Sequence, residues 1–70
     1  MKVFEIQQWH PVFDWEIIPG GDFEDLECAR KAMANLEQDL GWRNMRIAAY
    51  VINDGRVVEG TWEIVEYGLD

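Results

Sequence analysis

Serine is absent from this 70-residue chain, and histidine, cysteine and threonine occur once each. These residue types supply most catalytic nucleophiles and bases, so nucleophilic catalysis would require Cys28 or Thr61 to lie beside His10. His10 falls in a predicted turn and Cys28 in a predicted helix, which separates the two side chains. One histidine and one cysteine are also too few to hold zinc, copper or iron. We therefore expect no catalytic residues and no metal site.

Glycine-rich phosphate-binding motifs are missing as well. Gly20 and Gly21 precede a predicted helix, whose N-terminus is able to bind an anion. The next residues include Asp22, Glu24 and Asp25, which would repel a phosphate, and the spacing of a P-loop or dinucleotide fingerprint is not present. The sequence therefore predicts no cofactor and no enzymatic activity.

Basic residues are scarce, with six Lys and Arg against fourteen Asp and Glu and a formal net charge of −8. Direct nucleic-acid binding begins with neutralisation of phosphates, which this charge opposes. The same charge attracts basic protein surfaces and accelerates association with them. We therefore expect a protein partner with a basic surface and no direct nucleic-acid partner.

Long apolar runs do not occur either. No stretch approaches the ~20 consecutive apolar residues that cross a bilayer, and the first residues do not resemble a signal peptide. A soluble, cytoplasmic protein without a membrane partner is expected. Hydrophobic residues nevertheless make up 49% of the chain, including four Trp, two Tyr and three Phe. That content is typical of a folded chain, so residues 1–70 are predicted to form one small acidic domain.

The first block of the sequence predicts a β-hairpin over residues 2–18, with a turn around Pro11. If Gln8 lies opposite Phe13, the predicted core side carries Phe4, Ile6, Phe13, Trp15 and Ile17. The other side of this hairpin then carries Glu5, Gln7, Asp14 and Glu16. Glu5 would lie opposite Glu16, and we interpret this pair as solvated carboxylates rather than a catalytic acid and base.

Apolar residues recur at the helical period from Phe23 to Leu40, with Asp22 as the expected N-cap and Gly41 as the stop signal. A second hairpin follows, because Asp54-Gly55 is a strong signal for a type I′ turn. Extending the pairing from this turn puts Ile52 opposite Val57, Arg46 opposite Glu63 and Ile47 opposite Trp62, with Trp62 on the core side. The sequence thus predicts the α+β class, as a ββαββ arrangement in which one helix packs on one face of a four-stranded antiparallel sheet, with the strand order left open.

A single helix covers only one face of the predicted sheet. The uncovered face is expected to be acidic and to bind a partner through Glu5, Gln7, Trp9, Asp14, Glu16, Tyr50, Glu59 and Glu63. Apolar residues of the same parity, or at the strand ends, would be interleaved with these carboxylates, among them Val3, Ile52, Val57 and Tyr67. Like charges directly opposite each other disfavour folding by about 0.2–1 kcal/mol, so an acidic ladder there suggests a binding role.

Two hypotheses follow from this face. The first is a small inhibitor or regulator that occupies a basic, nucleic-acid-binding surface of a larger protein, as phage anti-defence proteins of the anti-CRISPR kind do. The second is a structural or accessory subunit that buries the uncovered face in a homodimer or a stable complex. Steep salt dependence of binding would favour the first hypothesis.

Overall fold

Five β-strands and one α-helix follow one another in the computed structural model, which describes residues 1–70 except for the side chains at positions 19 and 21. The elements are β1 (Lys2–His10), β2 (Asp14–Phe23), α1 (Leu26–Asp39), β3 (Met45–Asn53), β4 (Arg56–Val57) and β5 (Glu63–Tyr67). The predicted α+β class with one helix is confirmed. The prediction of four strands is wrong in number, because the return strand of the second hairpin is divided into β4 and β5.

The strands form one curled antiparallel sheet in the order β2-β1-β3, and β4 and β5 both pair with the remaining edge of β3. Strands β1 and β3 are therefore the central strands, although 34 residues, which include β2 and α1, separate His10 from Met45 in the sequence. Ile6 lies directly opposite Ile47 in the middle of this pair. The central position explains why both side chains are almost completely buried.

The predicted register of the first hairpin is wrong. Gln8 pairs with Glu16 rather than Phe13, and Gln7 pairs with Ile17. The difference of three residues is odd, so Ile17 moves to the face opposite the predicted one. The turn itself provides the reason, since the His10 Nδ1 atom accepts hydrogen bonds from the backbone N–H groups of Val12 (3.1 Å) and Phe13 (3.4 Å).

Helix α1 begins later than predicted because β2 continues through Asp22, which pairs with Glu5. Asp25 is the N-cap, and its carboxylate accepts a hydrogen bond of 2.7 Å from the Glu27 N–H. The predicted stop at Gly41 is confirmed, with a φ of 69° that favours glycine. The helix therefore has a conventional cap at each end, and its N-cap lies three residues after the predicted one.

The main core lies between α1 and one side of the sheet, which we call the helix face. Its buried residues are Phe4, Ile6, Ala29, Met33, Met45, Ile47 and Ala49. Ala29 and Ala49 are fully buried, and their small side chains let the helix approach the sheet closely. At the edge, the Arg30 Nε donates a 2.9 Å hydrogen bond to Glu66. Hydrogen bonds to Glu66 and Glu27 raise the pKa of Arg30, and the bond to Glu66 ties the helix to β5.

The predicted turn of the second hairpin is confirmed, since Asp54 and Gly55 have φ values of 52° and 75°. The predicted pairing of Ile52 with Val57 next to it is also confirmed. Farther from the turn the predicted register is wrong, because Ala48 pairs with Ile64.

Thr61 explains this change of register. Its Oγ1 accepts a 3.0 Å hydrogen bond from the Val51 N–H and donates a 2.6 Å bond to the Val58 carbonyl. The side chain thus satisfies a strand N–H that would otherwise pair with backbone, and it stabilises the extra turn between β4 and β5. Trp62 consequently does not face Ile47, and 48% of its surface is exposed.

Candidate functional site

The side of the sheet opposite the helix, which we call the open face, has no covering element among the described residues. The strand pairing places on it Val3, Glu5, Gln7, Trp9, Trp15, Ile17, Asp22, Arg46, Ala48, Tyr50, Ile52, Val57, Ile64 and Tyr67. Trp62 belongs to the same face, because the Arg46 guanidinium lies 5.7 Å from its ring centroid. The open face is therefore rich in aromatic and apolar residues.

A chain of three polar side chains runs through the centre of the open face. The Arg46 Nε donates to the Gln7 Oε1 at 2.7 Å, and the Gln7 Nε2 donates to the Glu5 Oε2 at 2.7 Å. Arginine only donates and a carboxylate accepts, so the two neighbours fix the orientation of the Gln7 amide. Glu5 and Gln7 are only 4% and 6% exposed. Gln7 therefore links the buried Glu5 carboxylate to the Arg46 cation, while Asp22 of β2 lies opposite Glu5.

Aromatic rings surround the Arg46 end of this chain. The guanidinium lies 3.9 Å from the ring centroid of Trp15, a distance at which cation–π attraction is strong. Trp15 contacts two more rings at an angle, with centroid distances of 5.7 Å to Trp9 and 6.4 Å to Tyr67. These edge-to-face contacts are favoured by the ring quadrupoles, so the aromatic side chains hold one another in fixed orientations.

Several of these apolar side chains remain in contact with solvent. The exposed fractions are 45% for Trp9, 59% for Ile17, 56% for Val57, 48% for Trp62 and 63% for Tyr67. Single exposed apolar residues are ordinary, but a group on one sheet face is typical of an interaction site.

The predicted acidic ladder does not form, and this corrects the description of the uncovered face. Glu5, Gln7, Trp9 and Tyr50 do lie together on the open face, but Glu5 and Gln7 are buried. Four other predicted contact residues lie elsewhere. Glu16 pairs with Gln8, Asp14 ends the first turn, Glu59 lies in the turn before β5, and Glu63 pairs with Ala49 and bonds Lys2 at 3.1 Å. Odd register shifts at the Gln8–Glu16 and Ala49–Glu63 pairs separate Asp14, Glu16 and Glu63 from Glu5, and the extra turn after β4 removes Glu59.

The sequence reasoning missed three members of the open face, Trp15, Ile17 and Trp62, because it assigned them to the core. It also paired Arg46 with Glu63, whereas Arg46 bonds Gln7 and stacks on Trp15. Facing tryptophans were the available signal, because Trp9 and Trp15 are placed symmetrically about the His10–Asp14 turn. Aromatic cross-strand pairs of this kind stabilise hairpins.

Tyr50 provides a pH-dependent test of this face. Burial, followed by the negative charges of Glu5 and Asp22, raises the pKa of Tyr50 above its ordinary value of 10.0. The folded state then binds more protons than the unfolded state, so the free energy of unfolding should fall as pH rises through the range above 10. Tyr50→Phe should flatten this fall while changing little at pH near 8, as measured by urea unfolding. Parallel curves for the two proteins would contradict the assignment.

The described residues contain no group of three or more His, Cys, Asp or Glu placed to hold a metal ion. Within the same part of the chain, no helix has the length and apolarity needed to cross a membrane. The open face offers rings and apolar side chains around the polar chain that runs from Arg46 through Gln7 to Glu5. In comparisons with known proteins, no family model, curated protein or solved structure matches the chain.

Proposed function

We propose that this chain is a non-enzymatic protein-binding module that contacts its partner with the open face. The observation that supports this function is the group of five apolar side chains on that face, each at least 45% exposed. Tryptophan and tyrosine are the residues that most often dominate binding energy at protein interfaces. Three of the five are of these types, namely Trp9, Trp62 and Tyr67.

The rigidity of the open face supports the same function. Arg46 is held by Gln7 and Trp15, and the rings of Trp9 and Tyr67 lean on Trp15. Side chains that are already ordered lose less conformational entropy on binding than free ones do. A partner therefore meets a preformed surface.

The net charge of −8 favours a larger partner with a basic surface over a homodimer, because two copies of this chain repel each other. The described residues form only three salt bridges, so most carboxylates remain able to attract such a partner. An inhibitor of a basic, nucleic-acid-binding surface, of the anti-CRISPR kind, is the form of this function that the charge favours. An accessory subunit in a stable complex is the form that the apolar open face favours.

A matched pair of variants tests where the partner binds. Ile17 on the open face and Leu40 after the helix are 59% and 60% exposed, so replacing either one by Gln removes a similar apolar surface. Partners captured by the wild type and identified by mass spectrometry should bind Ile17→Gln at least about tenfold more weakly, a loss of ~1.4 kcal/mol. Leu40→Gln should bind as the wild type does. Equal affinities of the two variants would refute binding through the open face.

Salt separates the two forms of the function. Exposed charge pairs are screened over about 8 Å at physiological ionic strength, whereas apolar contacts are not. Affinity that falls steeply from about 0.05 to about 0.5 M salt supports the inhibitor of a basic surface. A flat response supports the accessory subunit. Sedimentation of the isolated protein, for which we expect a monomer, tests the homodimer.

A further inference from the structure

A small cavity opens at one end of the sheet, beside the end of β1 and the start of β3. Its volume is about 210 Å³, and its lining includes Trp9, Trp15, Tyr67, Met45, Asn44 and Asp70. Clefts for drug-sized ligands usually measure roughly 300–1,000 Å³, so this one is the size for a single side chain. Met45 is 1% exposed, whereas Trp9 and Tyr67 are 45% and 63% exposed. The cavity is therefore accessible from solvent at its aromatic walls.

The three rings that line the cavity are set at angles to one another. The plane of Trp15 makes 65° with that of Trp9 and 60° with that of Tyr67. Rings in such orientations form separate walls instead of a stack. One carboxylate, that of Asp70, adds negative charge to the lining, and no salt bridge in the described part of the chain uses it.

We propose that this cavity binds the cationic end of a lysine or arginine side chain from the partner protein. Ring faces and a carboxylate both attract a cation, and aromatic cages are a known means of recognising ammonium groups. The Arg46 guanidinium already rests 3.9 Å from the Trp15 centroid, so one face of Trp15 is taken and the rings of Trp9 and Tyr67, with Asp70, are left to hold the partner's cation. An anionic occupant is disfavoured by Asp70 and by the net charge of −8. The inference rests on the proposed function, since it names the contact that a basic partner makes.

Three small probes test the cavity without any partner. N-acetyl-lysine methylamide and N-acetyl-arginine methylamide carry the two cations, and N-acetyl-norleucine methylamide has an uncharged chain of similar length to that of lysine. In NMR titrations of the isolated protein, either cation should shift the indole N–H signals of Trp9 and Trp15 saturably, and the stronger binder identifies the side chain. Norleucine should leave these signals nearly unchanged. Equal shifts with norleucine, or no saturable shift with either cation, would overturn the proposal.

A matched pair of variants checks that the rings of the cavity are responsible. Tyr67→Leu removes a wall, and Trp62→Leu removes another exposed ring of the open face that does not line the cavity. One exposed cation–π contact corresponds to about 0.5–1 kcal/mol, so Tyr67→Leu should weaken cation binding about two- to fivefold. Trp62→Leu should leave it unchanged. Equal weakening by both variants would show only diffuse attraction to aromatic surface.

The test of the cation site and the test of the proposed function can fail independently of each other. The probe titration involves no partner, whereas the comparison of Ile17→Gln with Leu40→Gln involves no cation probe. Cation binding without an effect of Ile17→Gln would leave the cavity in place and refute binding through the open face. The reverse result would keep the open face and refute the cation site.

Discussion

Replacing Arg46 by alanine should lower the free energy of unfolding by about 2–4 kcal/mol. Loss of the cation–π contact with Trp15 contributes about 0.5–2 kcal/mol of this. The Gln7 Oε1, which accepts the Arg46 Nε at 2.7 Å, would lose its donor, and an unsatisfied buried polar atom costs about 1–3 kcal/mol. Urea unfolding followed by tryptophan fluorescence measures the change. It is large for a small domain whose whole stability is of the order of 5 kcal/mol.

Arg56→Ala provides the control for charge. Arg56 is exposed beside the Asp54-Gly55 turn and makes no side-chain hydrogen bond or salt bridge within the described residues. Its removal should change stability by less than about 0.5 kcal/mol, as exposed substitutions usually do. A loss for Arg46→Ala as small as that for Arg56→Ala would show that the polar chain is not stabilising.

A second substitution tests whether the effect passes through Gln7 to the buried carboxylate. Glu5→Gln keeps an oxygen that can accept from the Gln7 Nε2 and removes the charge. In the Arg46→Ala background, Glu5→Gln should recover part of the lost stability, because no buried charge then lacks a cation. In the wild-type background it should recover nothing. Additive effects of the two substitutions would contradict coupling along the chain.

The fold class and several local signals were predictable from the sequence for physical reasons. Positive φ at two adjacent residues makes Asp54-Gly55 a specific turn signal, and Gly41 ends the helix for a similar reason. The strict alternation of apolar residues predicted which residues of β1 and β3 lie on the helix face, for example Ile6 and Ile47, which are both buried. The correct predictions therefore came mostly from residues that favour one backbone conformation and from the alternation of buried apolar residues in β1 and β3.

The register of the first hairpin was not predictable from alternation, because both faces of these strands carry large apolar side chains. Strand β1 carries the apolar side chain of Trp9 on one face and that of Ile6 on the other, so either register buries hydrophobic surface. The deciding contact is between the His10 Nδ1 and the backbone of the turn, which no sequence rule anticipates. The acidic face depended on that register, and with the observed pairing the open face is aromatic instead.

The second large effect is expected at Ile47, which is fully buried opposite Ile6 on the helix face. Ile47→Ala should lower the free energy of unfolding by about 2–5 kcal/mol, because the core loses buried methylene groups and retains a cavity. Should this variant fail to fold, Ile47→Val removes one methylene and should cost about 0.5–1.5 kcal/mol. Chemical unfolding monitored by circular dichroism measures both values.

Ile17→Ala turns this measurement into a test of the register. The register expected from the sequence places Ile17 in the core beside Phe4, where its truncation would also cost about 2–5 kcal/mol. In the structure Ile17 lies opposite Gln7 on the open face and is 59% exposed. Its truncation should therefore cost less than about 1 kcal/mol, in proportion to the small area it buries. Similar losses at Ile17 and Ile47 would support the register expected from the sequence and place Ile17 in the core. The open face would then lose Ile17, and the surface proposed to bind the partner would not exist as described.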